Sequence, residues 1–560
     1  MGNIPALAAS DIPTVRPLSM REENMIGQIA APGGAARGGS VSGAAICATI
    51  EDSQLWALIL GRKHAMKRDL PALVTGLAVM LCPSAASAAD PIELLLQKLN
   101  GEVSAPPEEG MEYGRSVKGS EEIKSYPVLF AAYLNLEPPP FKLGEAFNHN
   151  TIHPGMPAWE AVSGWAESNP EIVQAILQCE GKTLFGLPYG SAAVEAEFRE
   201  AGLVADIGAG GSLRDNRFPY LNAIDAISAF ATAEAYRLLE SGDIQEGLDL
   251  AMANIFLLRQ CCDREFLAEQ LHSITMLTQA LANLRDMFYV YHDKITADQY
   301  ATIAIETLPF LRPDRARLLM PEGDRIVSEA LIREVFDARG QADRDKFAAT
   351  FASIQSADAP MTRFGAARRW ARVAEVHDSE EASQERLRLV YDDWWRRWRV
   401  QEYDRILSIP TQFERTNPIR FAAVIYSMQN IEELFGVRNE LLAAVYGTAM
   451  AAGIAGYDSN YGNYPADSDM SYAQFVRKRS DRDPFDLEFL PFKYYLTTRR
   501  TAIDTLSGRV FVEAGQGVLY SRGKDHEDNR GEEHTDDGAA GDIVMWPPMK
   551  AMLRENGLID

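Results

Sequence analysis

The chain has 560 residues, 46% of them apolar, so it can bury a sizeable core and global disorder is excluded. Acidic residues outnumber basic ones 79 to 55, for a formal net charge of −24. Such a chain repels phosphate backbones and anionic lipid headgroups, which argues against nucleic acid as a partner and fits cationic partners or none.

In chain order, residues 1–65 are rich in Gly, Ala and Ser and carry little periodicity. The clearest feature follows them. Met66-Lys67-Arg68 is a short positive start, Leu70 to Leu81 (LPALVTGLAVML) is an apolar run, Pro83 breaks it, and Ala86-Ser87-Ala88 places small residues where a signal peptidase reads. The run is too short to span a bilayer as a stable helix. Leu81, not a small residue, precedes Cys82, so no lipid anchor is expected. The pattern reads as a signal peptide over 66–89, with Met66 as the start and 1–65 as a mis-called extension or a disordered tail. It predicts a periplasmic or extracellular protein with no transmembrane anchor in the mature chain; the bland alternative is a buried core helix. Three cysteines, Cys179, Cys261 and Cys262, lie beyond it, too few for a disulfide framework. Cys261 and Cys262 are adjacent in a helical pattern, so their side chains diverge and a bridge between them is not expected.

Residues 90–100 read as a short helix and 101–120 as a linker. Pro170 followed by EIVQAILQCEG predicts a helix with proline in its first turn and Gly181 as its stop. The strongest periodicity lies in 218–305: four helices separated by short Gly- and Asp-containing turns, the pattern of antiparallel hairpins in a bundle or solenoid. No strict 34-residue repeat is present. Helical patterning continues through 320–405, where Leu387, Val390, Tyr391, Trp394 and Trp398 form one stripe, and again from Pro418 to Gly456. After Gly456 the texture changes to Gly, Tyr, Asp and Pro, with strand candidates at Phe492–Leu496, Val510–Val512 and on both sides of an acidic loop in 517–548. The expected fold is mainly α: a helical-hairpin bundle or solenoid-like domain over 121–456, a small α+β module over 457–548, and a tail over 549–560.

The acidic loop is the most informative chemistry. Eight carboxylates and one arginine lie between Asp525 and Asp542. Packing so many anions is costly unless water screens them or a cation neutralises them. Calcium accepts six to eight hard oxygens in irregular geometry, and a loop leaving one strand at Asp525 and rejoining another at Asp542 can close round it. The alternative is a solvated loop without an ion.

The run LYSRGKD…GDI (Leu519–Asp525, Gly541–Ile543) resembles the calcium-binding tail of the major pseudopilin of type II secretion, with its LxSxGxDG…DI pattern. Gly462-Asn463-Tyr464-Pro465 resembles the pilin-type G-x-YP element, and Asp483-Pro484-Phe485 with Phe492-Lys493-Tyr494 resembles the DPW/F-G-x-P-Y stretch. The chain departs from the pattern at His526, where the family has glycine, in a longer loop, and in having no fibre-forming helix ahead of the module. The resemblance implies a pseudopilin-like module, and by it Asp525 and Asp542 are the first candidates for structural Ca2+ ligands. The Leu519 carbonyl and Ser521 are helpers, and Asp528 and Asp537 are weaker candidates from the loop itself. The helical part, with Phe218-Pro219-Tyr220-Leu221, the LLESGD turn ending at Asp243 and Leu257-Leu258-Arg259-Gln260, resembles a group of uncharacterised exported bacterial proteins. These carry no activity to transfer.

Four other constellations are weighed against bland readings. Val204–Gly211 imitates a methyltransferase D-x-G-x-G turn, but one long helix follows where a β/α alternation is needed, so a flexible loop is expected. His149 and His153 have zinc-ligand spacing but sit among prolines, outside helix. His526 and His534 are expected to face water. Trp394-Trp395-Arg396-Arg397-Trp398-Arg399 mixes rings and cations, yet its helical spacing favours core packing. The composite reading is an exported, non-enzymatic scaffold with protein partners in the cell envelope. The alternative is an envelope hydrolase assembled from Glu145, His149, His153 and Asp206 in a helical cleft.

Overall fold

Helix starts and stops fall largely where proline, glycine and capping residues place them. The computed structural model describes residues 91–102, 123–141, 152–311, 318–352, 363–400, 404–471, 474–477, 481–533 and 541–559. The signal peptide, residues 1–65, most of the linker, Glu145, His149, His534 and Asp537 lie outside the described residues.

The N-terminal part contains α1 (Pro91–Gln97), α2 (Tyr126–Tyr133), α3 (Trp159–Glu167), α4 (Pro170–Glu180) and α5 (Ala196–Glu200). In α4 proline occupies the first turn and Gly181 the C-cap, as the sequence predicts. Val204–Gly211 does not form a nucleotide-binding turn. Strand β1 (Asp206–Ile207) pairs antiparallel with β2 (Asn216–Arg217), and the Asp215 carbonyl accepts the amides of Gly208 and Ala209 at 2.9 and 3.1 Å. That turn is ordered because its own backbone groups close it.

Three long helices follow: α6 (Tyr220–Ser241), α7 (Ile244–Cys261) and α8 (Leu267–Val290). The connection between the first two is only Gly242-Asp243, so they pack as antiparallel neighbours. A Thr296–Gln299 capping box starts α9 (Ala297–Ala301) at the fourth expected position. Then come α10 (Gly323–Glu334), α11 (Arg344–Phe351), α12 (Arg363–Val376), α13 (Glu380–Arg399), α14 (Ala422–Ser427) and α15 (Glu432–Tyr461). Trp394 and Trp398 on α13 are completely buried, and the Arg438 guanidinium lies 4.2 Å from the Trp398 ring centroid. The three tryptophans and Arg397 are therefore core, while Arg396 and Arg399 stay on the surface. Cys179, Cys261 and Cys262 are buried free thiols. No described helix is long and apolar enough to cross a membrane.

The C-terminal part holds β3 (Lys493–Leu496), β4 (Thr501–Thr505), β5 (Gly508–Val512), β6 (Gly517–Ser521), β7 (Ile543–Trp546) and α16 (Met549–Glu555). An antiparallel sheet runs in the order β3–β6–β7, and β4 and β5 form a separate hairpin. The fold is thus mainly α with small antiparallel sheets near the C-terminus.

The boundary expected near 457 falls inside α15, which continues to Tyr461 and stops at Gly462. The Gly, Asp, Ser and Asn residues that suggested a change of structure are poor helix formers, but tertiary contacts override them. His292 Nε2 lies 2.8 Å from Asp458 Oδ2, and the Tyr457 ring packs on Phe475. The core is only partly divided there, for a second, smaller apolar cluster of Ile503, Val510, Val512, Val518, Val544 and Met552 belongs to the C-terminal part alone. One contiguous apolar cluster runs from Leu95 through α15 to Leu519, Met545 and Trp546. Gly447 makes this possible: a Cβ there would stand 2.5 Å from Met545, so only glycine lets β7 lie against α15.

Candidate functional site

The sequence singles out the segment joining β6 to β7. Gly523, at φ 67°, would place a Cβ 2.2 Å from the Gly541 carbonyl oxygen, so the two ends of the acidic loop meet only through glycine. Backbone bonds then close the loop: the Asp542 amide donates to the Glu532 carbonyl at 2.8 Å and the Gly541 amide to the Glu533 carbonyl at 3.1 Å. The two glycines of the SxGxD…GD pattern thus form one backbone crossing.

The stretches that carry the resemblance meet in space. Asp483, almost fully buried, accepts the Ser521 hydroxyl at 2.7 Å and the amides of Arg522 and Phe485 at 2.9 and 3.0 Å. Burial pushes the Asp483 carboxyl above its ordinary pKa, and these donors pull it back. Tyr494 donates to the Pro465 carbonyl at 2.7 Å. His526 takes the left-handed conformation, φ 61°, at the position where the pseudopilin pattern has glycine. Its Nδ1–H donates to the Phe485 carbonyl at 2.7 Å, a bond that glycine lacks and that offsets the backbone cost. His526 therefore has a structural role and is not simply a solvent-facing side chain.

The expected ligands separate into three groups. Leu519 lies mid-strand, opposite Tyr494 on one side and Trp546 on the other, and belongs to the sheet. Ser521 donates its hydroxyl to Asp483 at 2.7 Å and accepts the Gly523 amide at 3.3 Å. Asp525, Asp528 and Asp542 lie close enough that Asp525 and Asp528 both raise the pKa of Asp542. Asp525 accepts from Asn529 Nδ2 at 2.8 Å and from the Glu527 amide at 3.0 Å. Asp528 accepts the Tyr520 hydroxyl at 2.9 Å and the Arg530 amide at 3.1 Å.

Asp542 is different. It is 2% exposed; its Oδ2 accepts the Gly531 amide at 2.7 Å, while Oδ1 is buried with no hydrogen-bond partner. Burial is the main cause that lifts its pKa to about 7; the amides of Gly531 and Asn529 oppose it, and Asp528 and Asp525 add to it. A buried carboxylate oxygen without a donor costs at least about 1–3 kcal/mol. A hard cation beside Asp542, Asp525 and Asp528 would remove that cost, so the donor set suits calcium in chemistry. Among the described residues, however, no three acidic, His or Cys side chains already converge as a closed ligand set.

A second polar cluster gave no motif in the sequence. It lies under the helical domain, where the α7–α8 turn meets α10. Arg264 and Glu269 are completely buried and paired at 2.9 Å. Tyr220 and Tyr189 each donate to Glu269, at 2.7 and 2.8 Å, and the Arg264 guanidinium lies 4.2 Å from the Tyr189 ring centroid. The Leu267 amide donates to Asp324 at 2.7 Å, and Arg325 bridges Glu322 and Glu329, which also takes Lys98 at 2.8 Å. Burial and the neighbouring Glu322 push Glu265 up to about 8, and burial pushes Asp324 up to about 7. Hydrogen bonds run through this cluster from side to side, the arrangement of a structural ionic core. The available signal was the run Asp263-Arg264-Glu265 and Glu269 between two apolar helices, a charge density that demands internal partners.

The described members of the hydrolase alternative sit on separate elements. His153 Nδ1 is 2.8 Å from the Pro154 carbonyl oxygen in the turn before α3, whereas Asp206 faces Arg217 across the β1–β2 pair. A surface depression of about 410 Å3 lies between the end of α2 and the start of α4, and neither residue lines it. Compared with known proteins, the chain matches no family model, no curated protein and no solved structure.

Proposed function

We propose that this protein is an exported, non-enzymatic scaffold of the bacterial cell envelope, whose pseudopilin-like C-terminal module is fastened by a structural calcium ion. The observation that carries the proposal is Asp542: a buried carboxylate with one oxygen unpartnered, at the point where the loop between β6 and β7 closes. The signal-peptide pattern supports export, and free calcium is generally higher outside the cytosol than inside it. The net charge of −24 disfavours nucleic acid and leaves envelope proteins as the partners in this reading. Asp525, Asp528 and Asp542 would hold the ion, with loop carbonyls and water completing its shell. The ion would neutralise the clustered carboxylates; the chain itself fixes the loop ends through Gly523 and Gly541.

A scaffold is favoured over the hydrolase because the charged groups of the helical domain pair mainly with one another, around Arg264 and Glu269. Thermal melting of the full chain tests the calcium proposal. Millimolar calcium should raise the melting temperature over that in chelator, since an ion bound by the folded state alone stabilises it. Equal melting temperatures in calcium and chelator would refute it. Export is tested by sequencing the mature N-terminus, expected at Ala89 or a close neighbour.

A further inference from the structure

His377 lies in the connection between α12 and α13, and both of its ring nitrogens are engaged. Nδ1 is 2.8 Å from the Asp378 carbonyl oxygen, which can only accept, so Nδ1 carries the hydrogen. Nε2 is 2.9 Å from the Ala423 amide, which can only donate, so Nε2 carries the lone pair. The two contacts together fix the neutral Nδ1–H form of the ring. An imidazolium has a hydrogen on both nitrogens and cannot receive the Ala423 amide.

The ring is packed as well as bonded. Phe336, which follows α10, and Phe347 of α11 place their ring centroids 5.5 and 5.2 Å from it. Charged groups on the surrounding elements are mostly answered by others. The Asp378 carboxylate holds Arg420 at 2.6 Å, Lys346 of α11 donates to the Phe336 carbonyl at 3.0 Å, and Arg344 of α11 pairs with Glu375 of α12 at 2.9 Å. Asp337, beside Phe336, accepts the Arg339 and Gln341 amides of its own turn. Burial holds the pKa of His377 below its ordinary value, although the Asp378 carbonyl and carboxylate favour the charged ring.

Ala423 sits in the first turn of α14, where a backbone amide has no partner within the helix, and His377 supplies one. The helix is a packed piece of the domain: Ala422, Ala423 and Val424 are completely buried, the Ser328 hydroxyl of α10 donates to the Ser427 carbonyl at 3.1 Å, and the Tyr426 ring meets Trp370 of α12 edge-on at 4.9 Å. We propose that His377 is an acid-sensitive clasp: the neutral ring ties α14 to the α12–α13 connection, and a proton on Nε2 releases it. The charged ring sets an N–H against the Ala423 N–H and places its charge against Phe336 and Phe347. The clasp goes beyond the proposed function and depends on neither calcium nor export. The unfolded chain takes up a proton that the folded ring resists, so this contribution to stability is lost as pH falls below about 6.5. Glu265 and Asp324 respond in the opposite sense, since acid supplies the protons they hold. Melting temperature mixes the two effects, and a local readout separates them.

Hydrogen exchange of the full chain, followed by mass spectrometry at pH 7 and pH 5 with each rate corrected for the intrinsic rate at that pH, tests the clasp. Acid should speed exchange in 421–428 about fivefold or more, because the Ala423 amide loses its acceptor. His377→Gln presents an acceptor that does not titrate, so it should keep the protection and remove the acid response. An unchanged rate in the unaltered chain, or an acid response that persists in His377→Gln, would overturn the clasp. Imidazole nitrogen shifts of the unaltered chain give a reading that needs no variant. At pH 7 they should show His377 with its hydrogen on Nδ1 and none on Nε2; a hydrogen on Nε2 at that pH would contradict the proposal.

Discussion

The ionic core around Arg264 and the acidic loop before β7 bury the same kind of group and resolve it in opposite ways. In the core, Glu269 is met by a guanidinium and two tyrosine hydroxyls, all supplied by the chain. In the loop, Asp542 is buried to a similar extent; its Oδ2 accepts the Gly531 amide and its Oδ1 has no hydrogen-bond partner. A protein that buries a carboxylate must provide its partner or obtain one from solution. The first region answers its buried carboxylate from within, although Arg264 Nη2 is left without a hydrogen-bond partner, and the second leaves one oxygen of Asp542 without a donor.

The largest effect should come from breaking the cluster around Arg264. Arg264→Met leaves Glu269 buried without its cation and should cost about 3–5 kcal/mol in urea unfolding. The double variant Arg264→Met, Glu269→Leu should recover much of that loss, because the unpaired charge is gone. Failure of the second change to recover stability would mean that the pair does more than neutralise itself.

Next comes the pH dependence of the same region. Glu265 is held at about 8 by burial and by Glu322, with Arg264 opposing, and Asp324 at about 7 by burial. A carboxyl whose folded pKa is raised keeps a proton that the unfolded chain has released, so stability falls as pH rises from about 4.5 towards 8. Glu265→Gln should flatten that decline between pH 5 and 8, measured as melting temperature against pH. An unchanged slope would remove Glu265 from the account.

The loop should respond to calcium where the core does not. Calcium at one hundred times its dissociation constant should stabilise the protein by about 2.7 kcal/mol, and Asp542→Asn should abolish the gain. Gly523→Ala should cost about 2 kcal/mol or more with or without calcium, because its Cβ has nowhere to go. Smallest is the pair at position 526. His526→Gly exchanges a strained backbone for a lost hydrogen bond and should change stability by less than about 1 kcal/mol. His526→Ala loses the bond and keeps the strain, so it should be the worse of the two.

Much of the helical domain was legible because periodicity and punctuation are local signals. Pro170, Gly181, Gly242 and Thr296 mark helix ends at or within a residue of where they are observed. The tryptophan stripe is core for the reason its spacing gives. The strands near 493, 510, 517 and 543 were also visible, since they alternate with turn residues. The boundary near 457 was misplaced because the last turns of α15 are held by His292 and Phe475, contacts distant in sequence. The β1–β2 pairing at Val204–Gly211 was missed because a two-residue ladder leaves no pattern. At the candidate site the sequence located the loop and three of its carboxylates. It could not show that Ser521 serves Asp483, that Leu519 is enclosed in the sheet, or that Asp542 alone among the three has a buried oxygen without a donor. Those facts depend on how segments 483–494, 517–525 and 541–546 meet. The Arg264 core escaped notice for the same reason: Tyr189, Tyr220 and Asp324 reach it from three different elements.

The central claim is that the loop between β6 and β7 takes its missing partner from solution as calcium. Calorimetric titration of calcium into the full chain tests it most directly. One ion should bind per chain in the unaltered protein, and the binding heat should disappear in Asp542→Asn while that variant stays folded. No binding to the unaltered protein, or equal binding to both, would contradict it.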